Sequence, residues 1–104
     1  MIHVVAIITT KPGKREEVLA AFNKIVPTVL AEDGCIEYGP TIDATDAPSI
    51  QTPIGANSFI VIEKWTSSKT LEAHGASSHM AAYGQQVKNL IVSRTIHVLV
   101  LASA

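Results

Sequence analysis

The chain has 104 residues, of which 47% are hydrophobic and 16% charged, and its formal net charge is −1. This balance, without any basic run, argues against nucleic acid or an anionic membrane as a partner. The length suits one domain with a modest core, and we predict a single domain over residues 1–104. So small and apolar a domain is expected to hide surface against a partner.

The chain termini and the cysteine content indicate the compartment. Cys35 is the only cysteine and cannot form an internal disulfide, which is typical of a reducing environment. The first residues lack a basic leader and read as a strand, and the last apolar run is too short to span a bilayer. We therefore expect a soluble cytoplasmic protein.

The first third of the chain predicts a strand followed by a long helix. Residues 2–10 are apolar on both faces of a strand, and residues 10–13 form a turn. A helix is predicted from about residue 14 to 31, with a kink caused by Pro27. Its apolar positions recur at the helical period: Val18, Leu19, Phe22, Ile25, Val26, Val29 and Leu30. Gly34 suits a left-handed cap after the helix.

A second strand and a long loop follow. Residues 35–42 read as a strand, and the Gly39–Pro40 pair inside it predicts an edge strand or a bulge. Residues 43–56 contain two prolines, a glycine and several small polar residues, so we predict a loop there. A loop of this length often has a functional role such as a lid.

The densest group of chemically active residues lies in residues 57–79. Phe59, Val61, Glu63 and Trp65 share one face of a strand, while Ile60 and Ile62 lie on the other. Ser67 or Ser68 is the expected N-cap of a short helix that carries His74 and breaks at Gly75. A further helix begins near Ser77 and carries His79, reaching about residue 90. Residues 91–103 form the last predicted strand.

The order β-α-β-β-α-β predicts an α+β, ferredoxin-like antiparallel sheet. Two helices can cover only one face of a four-stranded sheet. The first and last strands are nevertheless apolar on both sides, although an exposed antiparallel face should be polar. We therefore predict a homodimer in which two sheets face each other and form a dimeric α+β barrel.

The run Gly34-Cys35-Ile36-Glu37-Tyr38, the Glu63-x-Trp65 pair, the Leu71-x-x-His74 pair and His79 together carry a resemblance. The chain resembles the antibiotic biosynthesis monooxygenase (ABM) domain family, and most of all its small quinol-monooxygenase-like members. The resemblance implies a dimeric barrel that oxygenates quinols or related phenols with O₂, without metal, flavin or haem. The loop over residues 43–56 is longer than the hairpin connection that is usual at this place in the family.

By this resemblance Trp65 matches the pocket tryptophan of the family and His74 its helix histidine, while Glu63 and His79 match other motif positions. We expect His74, oriented by Glu63, to take a phenolic proton, since the pKa of a histidine lies near neutrality. The expected ring-holding residues are Trp65, Phe59 and Tyr83, with Tyr38 and His79 also lining the substrate site.

Each of these residues also has a purely structural interpretation. Trp65 and the other aromatic residues can simply fill the core, and a histidine can serve only to hold a helix on the sheet. His74, His79 and Glu63 are possible zinc or iron ligands. The break at Gly75 between the two histidines matches no recognised metal spacing, so we expect no metal. Arg94 is expected to make a surface or interface salt bridge, or else to hold a substrate oxygen anion.

The leading functional hypothesis is a cofactor-independent monooxygenase that oxidises a small quinol or polyphenolic aromatic, with O₂ as the co-substrate. The alternative is a non-catalytic or regulatory dimer that binds a small aromatic metabolite. Haem degradation is a third reading, but the position expected to ligate haem falls near Gly84, which has no ligand atom. A lactone isomerase on the same scaffold is also left open.

Overall fold

The structure is a computed structural model and describes residues 1–103. Its elements are β1 (Ile2–Thr10), α1 (Arg15–Leu30), β2 (Cys35–Thr41), β3 (Ser58–Trp65), α2 (Ser68–Gly75), α3 (Ser78–Val87) and β4 (Ile91–Leu99). The predicted order β-α-β-β-α-β is confirmed, with the second helical region divided into α2 and α3. No helix within residues 1–103 is long and apolar enough to cross a membrane.

The four strands form one antiparallel sheet in the order β2-β3-β1-β4. This is the ferredoxin-like α+β arrangement, as predicted. β1 is a central strand that pairs with β3 and β4. β2 lies at an edge, also as predicted. Its register irregularity, however, falls between Cys35 and Glu37, whereas the sequence predicted one at Gly39–Pro40.

The two faces of the sheet differ in burial. Alternate residues of the central strands face the helices and are buried: Val4, Ala6, Ile8, Phe59, Val61 and Trp65. The opposite face, which we call the open face, carries Val5, Ile7, Ile60 and Ile62, which pair across β1 and β3 and are only half-buried. The helices therefore cover one side of the sheet and leave an apolar surface on the other.

Serine side chains fix the starts of the two short helices. The Ser67 hydroxyl accepts from the Thr70 amide at 3.2 Å, and the Ser67 amide donates to the Thr70 hydroxyl at 3.3 Å. This reciprocal capping box stabilises the first turn of α2. Ser77 caps α3 by accepting from the Met80 amide at 3.4 Å. The two caps place His74 at the end of one helix and His79 at the start of the next.

The loop between β2 and β3 is organised by a single carboxylate. Asp43 accepts from the amides of Ile54 at 2.9 Å and Gly55 at 3.0 Å, and from the Gln51 side chain at 3.0 Å. The two backbone bonds hold the pKa of Asp43 below its ordinary value. None of residues 43–56 lines the cavity described below, so in this structure the loop is not a lid.

Candidate active site

A cavity of about 650 Å³ lies between the helix-facing side of the sheet and the helices. This volume falls within the range of about 300–1,000 Å³ that is usual for small-molecule sites. Its walls are largely apolar and include Val4, Ala6, Ile8, Phe22, Val61, Leu71 and Met80. The polar side chains among its lining residues are Tyr38, Glu63, His74, Tyr83, Lys88 and Arg94. An apolar chamber with few polar groups is suited to a flat aromatic molecule.

The side chain of Glu32 links two histidines beside this cavity. Its Oε2 atom lies 2.8 Å from Nδ1 of His74 and 3.0 Å from Nε2 of His79. Glu32 lies just after α1, His74 in the last turn of α2 and His79 in the first turn of α3. Because an ionised carboxylate only accepts hydrogen bonds, each imidazole donates an N–H to the same oxygen. One buried atom therefore joins three helical segments.

The bond to Glu32 decides which nitrogen of His74 is available to a ligand. When Nδ1 carries the donated proton, Nε2 of the neutral ring is an acceptor. Within residues 1–103 no buried side-chain nitrogen or oxygen lacks a hydrogen-bond partner. The His74 Nε2 atom has no such partner there and must therefore be accessible. His74 lines the cavity, and Nε2 is the ring nitrogen through which it can accept a proton from a molecule there.

Aromatic rings hold the His74 imidazole from two sides. Its centroid lies 4.8 Å from that of Trp65, with the rings tilted by 40°, and 5.3 Å from that of Tyr38, edge to face. Tyr38 in turn stacks on Phe22 at 5.3 Å. With Nδ1 bonded and two aromatic rings packed against it, the imidazole has little freedom to rotate. The histidine is therefore presented to the cavity in one orientation.

Glu63 does not orient His74, and that prediction is wrong. Its Oε1 atom instead accepts the indole N–H of Trp65 at 2.9 Å, two residues along the same face of β3. Glu32 is the residue that holds His74. Burial raises the pKa of the Glu63 carboxyl, and the indole bond and the nearby imidazole oppose this rise only in part. Glu63 lines the cavity as a carboxyl group that is easier to protonate than an exposed one.

The two tyrosines of the cavity keep their protons near neutral pH. Burial raises the pKa of the Tyr38 phenol, and the negative charge of Glu63 raises it further. Burial also raises the pKa of Tyr83 to about 12, against the opposing effect of Arg94. Both hydroxyls can therefore donate hydrogen bonds to an oxygen of a bound molecule. Both tyrosines line the cavity, and their contact with a substrate stays a prediction.

Three other predicted site residues do not line the cavity. Trp65 and Phe59 are both 0% exposed; the first packs against His74, and the second packs edge-on against Phe22 at 5.8 Å. His79 bonds the same Glu32 oxygen as His74 does. The predicted contact of these three residues with a substrate ring gains no support from this cavity and stays a prediction. All three support the groups that reach the cavity.

The Glu32, His74 and His79 set also has the ligand types of a metal site. The three candidate ligand atoms lie within 4.8 Å of one another. A carboxylate with two imidazoles is a common set for zinc and for non-haem iron. Here both imidazole N–H groups donate to the carboxylate, so metal binding at these atoms would require each proton to move off its nitrogen. The sequence hypothesis had placed Glu63 in this set, where the structure has Glu32.

The sequence reasoning missed two residues of the site. Glu32 lies 42 residues before His74 and looked only like the end of a helix. Phe22 was expected in the core of α1, and the same apolar periodicity does bring it to the cavity wall. Nothing in the local sequence marks Glu32 as a partner of the histidines, because the contact depends on how three segments pack.

Comparisons with known proteins agree with this architecture. A family model described as "Antibiotic biosynthesis monooxygenase" matches residues 1–86. "Probable quinol monooxygenase YgiN" of Escherichia coli is 43% identical over 101 residues, which cover 95% of this chain and 96% of that relative.

Among solved structures, PA3566 from Pseudomonas aeruginosa has a TM-score of 0.80 at 24% identity, covering 98% of this chain and 94% of that one. Rv0793 from Mycobacterium tuberculosis has a TM-score of 0.79 at 23% identity, covering 99% and 96%. At these identities the structural likeness shows the fold alone. The family match and the 43% identity to the Escherichia coli relative show that the chain belongs to the antibiotic biosynthesis monooxygenase family.

Proposed function

We propose that this protein is a monooxygenase that oxidises a quinol or related hydroxylated aromatic with O₂ and without a cofactor. The observation that carries the proposal is His74, whose Nδ1 is held by Glu32 at 2.8 Å and which lines an apolar cavity of about 650 Å³. An oriented imidazole beside a ring-sized hollow is what the removal of a phenolic proton requires.

The reaction begins with this proton transfer. Nε2 of His74 accepts the phenolic proton, and the imidazolium that forms is stabilised by the Glu32 carboxylate at Nδ1. The resulting phenolate is electron-rich and passes one electron to O₂, giving a substrate radical and superoxide. Their combination forms a C–O bond. The peroxide that forms takes the proton back from the His74 imidazolium. Cleavage of its O–O bond, with loss of the hydrogen on the same carbon, releases water and leaves one oxygen atom in the product as a carbonyl, so all the electrons come from the substrate.

The other groups of the cavity have roles that suit this sequence. The Tyr38 and Tyr83 hydroxyls, which keep their protons, can donate to the oxygens of the substrate. The apolar walls exclude water from the radical pair, which limits the escape of superoxide. Glu63, whose pKa is raised, can relay the proton from the His74 imidazolium to the departing oxygen.

We also propose that the protein acts as a homodimer joined through the open face. Val5, Ile7, Ile60 and Ile62 form a continuous apolar patch on the side of the sheet that the helices leave uncovered. A second copy related by a two-fold axis would bury the same residues from both subunits. The cavity lies on the other side of the sheet, so such a dimer would contain one cavity in each subunit.

The function is tested by O₂ consumption with a panel of hydroquinones and dihydroanthracenones, with ¹⁸O₂ to follow the incorporated atom. We expect His74→Ala to lower kcat by about 10²-fold or more, the usual contribution of a general base. Lys24→Gln, a change on an exposed part of α1 outside the cavity, is the control and should leave the rate unchanged.

Equal rates for the wild type and His74→Ala would remove the catalytic claim. Saturable binding of the same aromatics without O₂ consumption would favour a non-catalytic binding protein. Because His74 is buried, the folded state of the variant is to be checked first by circular dichroism and thermal unfolding.

A further inference from the structure

Two cationic side chains line the cavity and have no acidic partner. Lys88 lies at the C-terminal end of α3 and Arg94 lies in β4, and both belong to the lining. Neither forms a salt bridge within residues 1–103, which is also true of Lys11, Lys24 and Lys69, and both side chains are exposed. What distinguishes Lys88 and Arg94 is that both lie on the lining of one cavity, where two cations can hold an anionic group of a ligand.

The cations lie at the opposite end of the cavity from His74. In the sheet, Val4 pairs with Glu63 on one side of β1, and Ile8 pairs with Arg94 on the other. Four residues of a strand span about 13 Å, so Arg94 is displaced along β1 from the end that carries Glu63. The cavity therefore has a proton-accepting end and a cationic end, separated by apolar walls.

No other charged group of the lining can neutralise the cationic end. The only carboxyl group of the lining is Glu63, which is buried at the other end and accepts the Trp65 indole. His74 is already paired with Glu32. Burial raises the pKa of the Tyr83 phenol, and the positive charge of Arg94 opposes that rise. The charge of Arg94 therefore acts on a group that lines the cavity.

We propose that the natural ligand is an aromatic acid, with its ring at the His74 end and a carboxylate or similar fixed anionic group held by Lys88 and Arg94. This deepens the proposed function by naming the substrate class, and it rests on that function only for the claim that the ring is then oxidised. The cavity volume of about 650 Å³ leaves room for a ring together with an anionic substituent.

Both cations also have a structural interpretation that the experiment must separate from this one. A lysine at a helix C-terminus stabilises the helix dipole, and an exposed arginine on an edge strand improves solubility. Those roles predict that removing the charge changes stability but not ligand preference. A role in binding predicts a change in preference for an anionic over a neutral ligand of the same shape.

The test compares 2-naphthoate with 2-naphthamide, which are nearly isosteric and differ by one charge. Neither is a quinol, so binding is measured by titration calorimetry independently of turnover. We expect the wild type to bind the acid about fivefold more tightly than the amide at low salt, and the difference to shrink as salt is added.

The Arg94→Gln, Lys88→Gln double variant should lose this preference. Arg94→Lys, which keeps the charge, should retain most of it, and the remote control Lys24→Gln should retain all of it. The inference is overturned by equal or weaker binding of the acid in the wild type, including no detectable binding of it. The inference is also overturned if the folded double variant still binds 2-naphthoate more tightly than 2-naphthamide.

The two proposals can fail separately. If neutral hydroquinones are oxidised at a His74-dependent rate while the acid shows no advantage in binding, the proposed function stands and the anionic substrate class does not. If the acid binds with the expected preference but no quinol consumes O₂, the binding site stands without the oxidation chemistry.

Discussion

At the scale of single residues, the shared oxygen of Glu32 is the centre of the site. The exposed fraction of its side chain is 15%, and that of His74 is 8%. Hydrogen bonds to a charged group in such a setting are stronger than those between neutral groups. Ser77 extends the network, because its hydroxyl donates to the His74 carbonyl at 2.7 Å and lies 3.2 Å from Nε2 of His79. The base of the proposed reaction is thus positioned by groups that touch no substrate.

The Glu32→Gln variant tests whether Glu32 positions His74 without itself contacting the substrate. The neutral amide accepts more weakly and no longer stabilises an imidazolium, so kcat should fall while KM for the quinol changes little. Unfolding in urea should show a loss of about 1–3 kcal/mol, the usual cost of weakening a buried charged hydrogen bond. Histidine ¹⁵N NMR should show that His74 no longer favours the tautomer protonated at Nδ1.

Glu16→Gln is the matched control, since the side chain of Glu16 is 77% exposed and bonds only to its neighbour Arg15. It should leave the rate and the histidine spectra unchanged. An unaltered His74 tautomer together with an unaltered kcat in Glu32→Gln would show that Glu32 does not position the base.

The sequence predicted individual site residues better than their contacts. Glu63, Trp65 and His74 were expected to lie together, and they do, because strand alternation and the helix period fix which side of each element they occupy. Their pairing was not predictable, since Glu63 had two possible partners within reach and Glu32 is distant in the chain. The burial of Phe59 behind Phe22 also depends on packing across elements, which periodicity alone does not specify.

At the scale of elements, the turn between α1 and β2 determines where Glu32 lies. Gly34 has φ of +80°, and its carbonyl accepts from the Thr66 amide at 2.9 Å. A Cβ built on Gly34 would come within 2.5 Å of the Thr70 methyl group. The glycine therefore permits both a left-handed turn and close packing against the start of α2, and it keeps Glu32 within reach of the histidines.

Comparing Gly34→Ala with Gly13→Ala isolates the effect of this packing. Gly13 has a similar φ of +76°, but a Cβ built there meets nothing within 4 Å. Gly13→Ala should lose about 1 kcal/mol from backbone strain alone. Gly34→Ala should lose about 2 kcal/mol more, because Thr70 or the turn must move. Equal losses in urea unfolding would show that the contact with α2 is not tight.

Most element boundaries followed from the sequence, and the exceptions have physical reasons. The last strand was predicted to reach residue 103 because the apolar run continues, but β4 ends at Leu99. Leu99 pairs with His3, and β1 starts at Ile2, so the ladder runs out of partner residues. α3 was predicted to reach about residue 90 and ends at Val87, where the Leu90 amide turns back to bond the Val87 carbonyl at 2.8 Å.

At the scale of the whole molecule, the apolar open face was foreseen from the double-sided apolar strands. The fold confirms that the helices lie on one side, and a dimer through the other side remains a prediction. The apolar side chains that line this face would be costly to leave in water.

Analytical ultracentrifugation tests the dimer. The wild type should sediment with twice the chain mass of 11.1 kDa at micromolar concentration. Ile7→Glu should shift it to the monomer, because a carboxylate would be buried from both sides of the two-fold axis without a partner. Ala20→Glu, on an exposed position of α1, should remain dimeric. A monomeric wild type, or an Ile7→Glu variant that is still dimeric, would contradict the proposed interface.

The carboxylate that organises residues 43–56 has a practical consequence. Asp43 bonds to backbone amides of the same loop, and Arg15 donates to the Gly55 carbonyl at 3.3 Å. The conformation of the loop therefore does not depend on contacts with the residues that line the cavity. Ile50 at its outer side is 89% exposed. A dye or a surface linker attached at that position would label or immobilise the protein without entering the cavity, which makes the loop a suitable attachment point for a sensor.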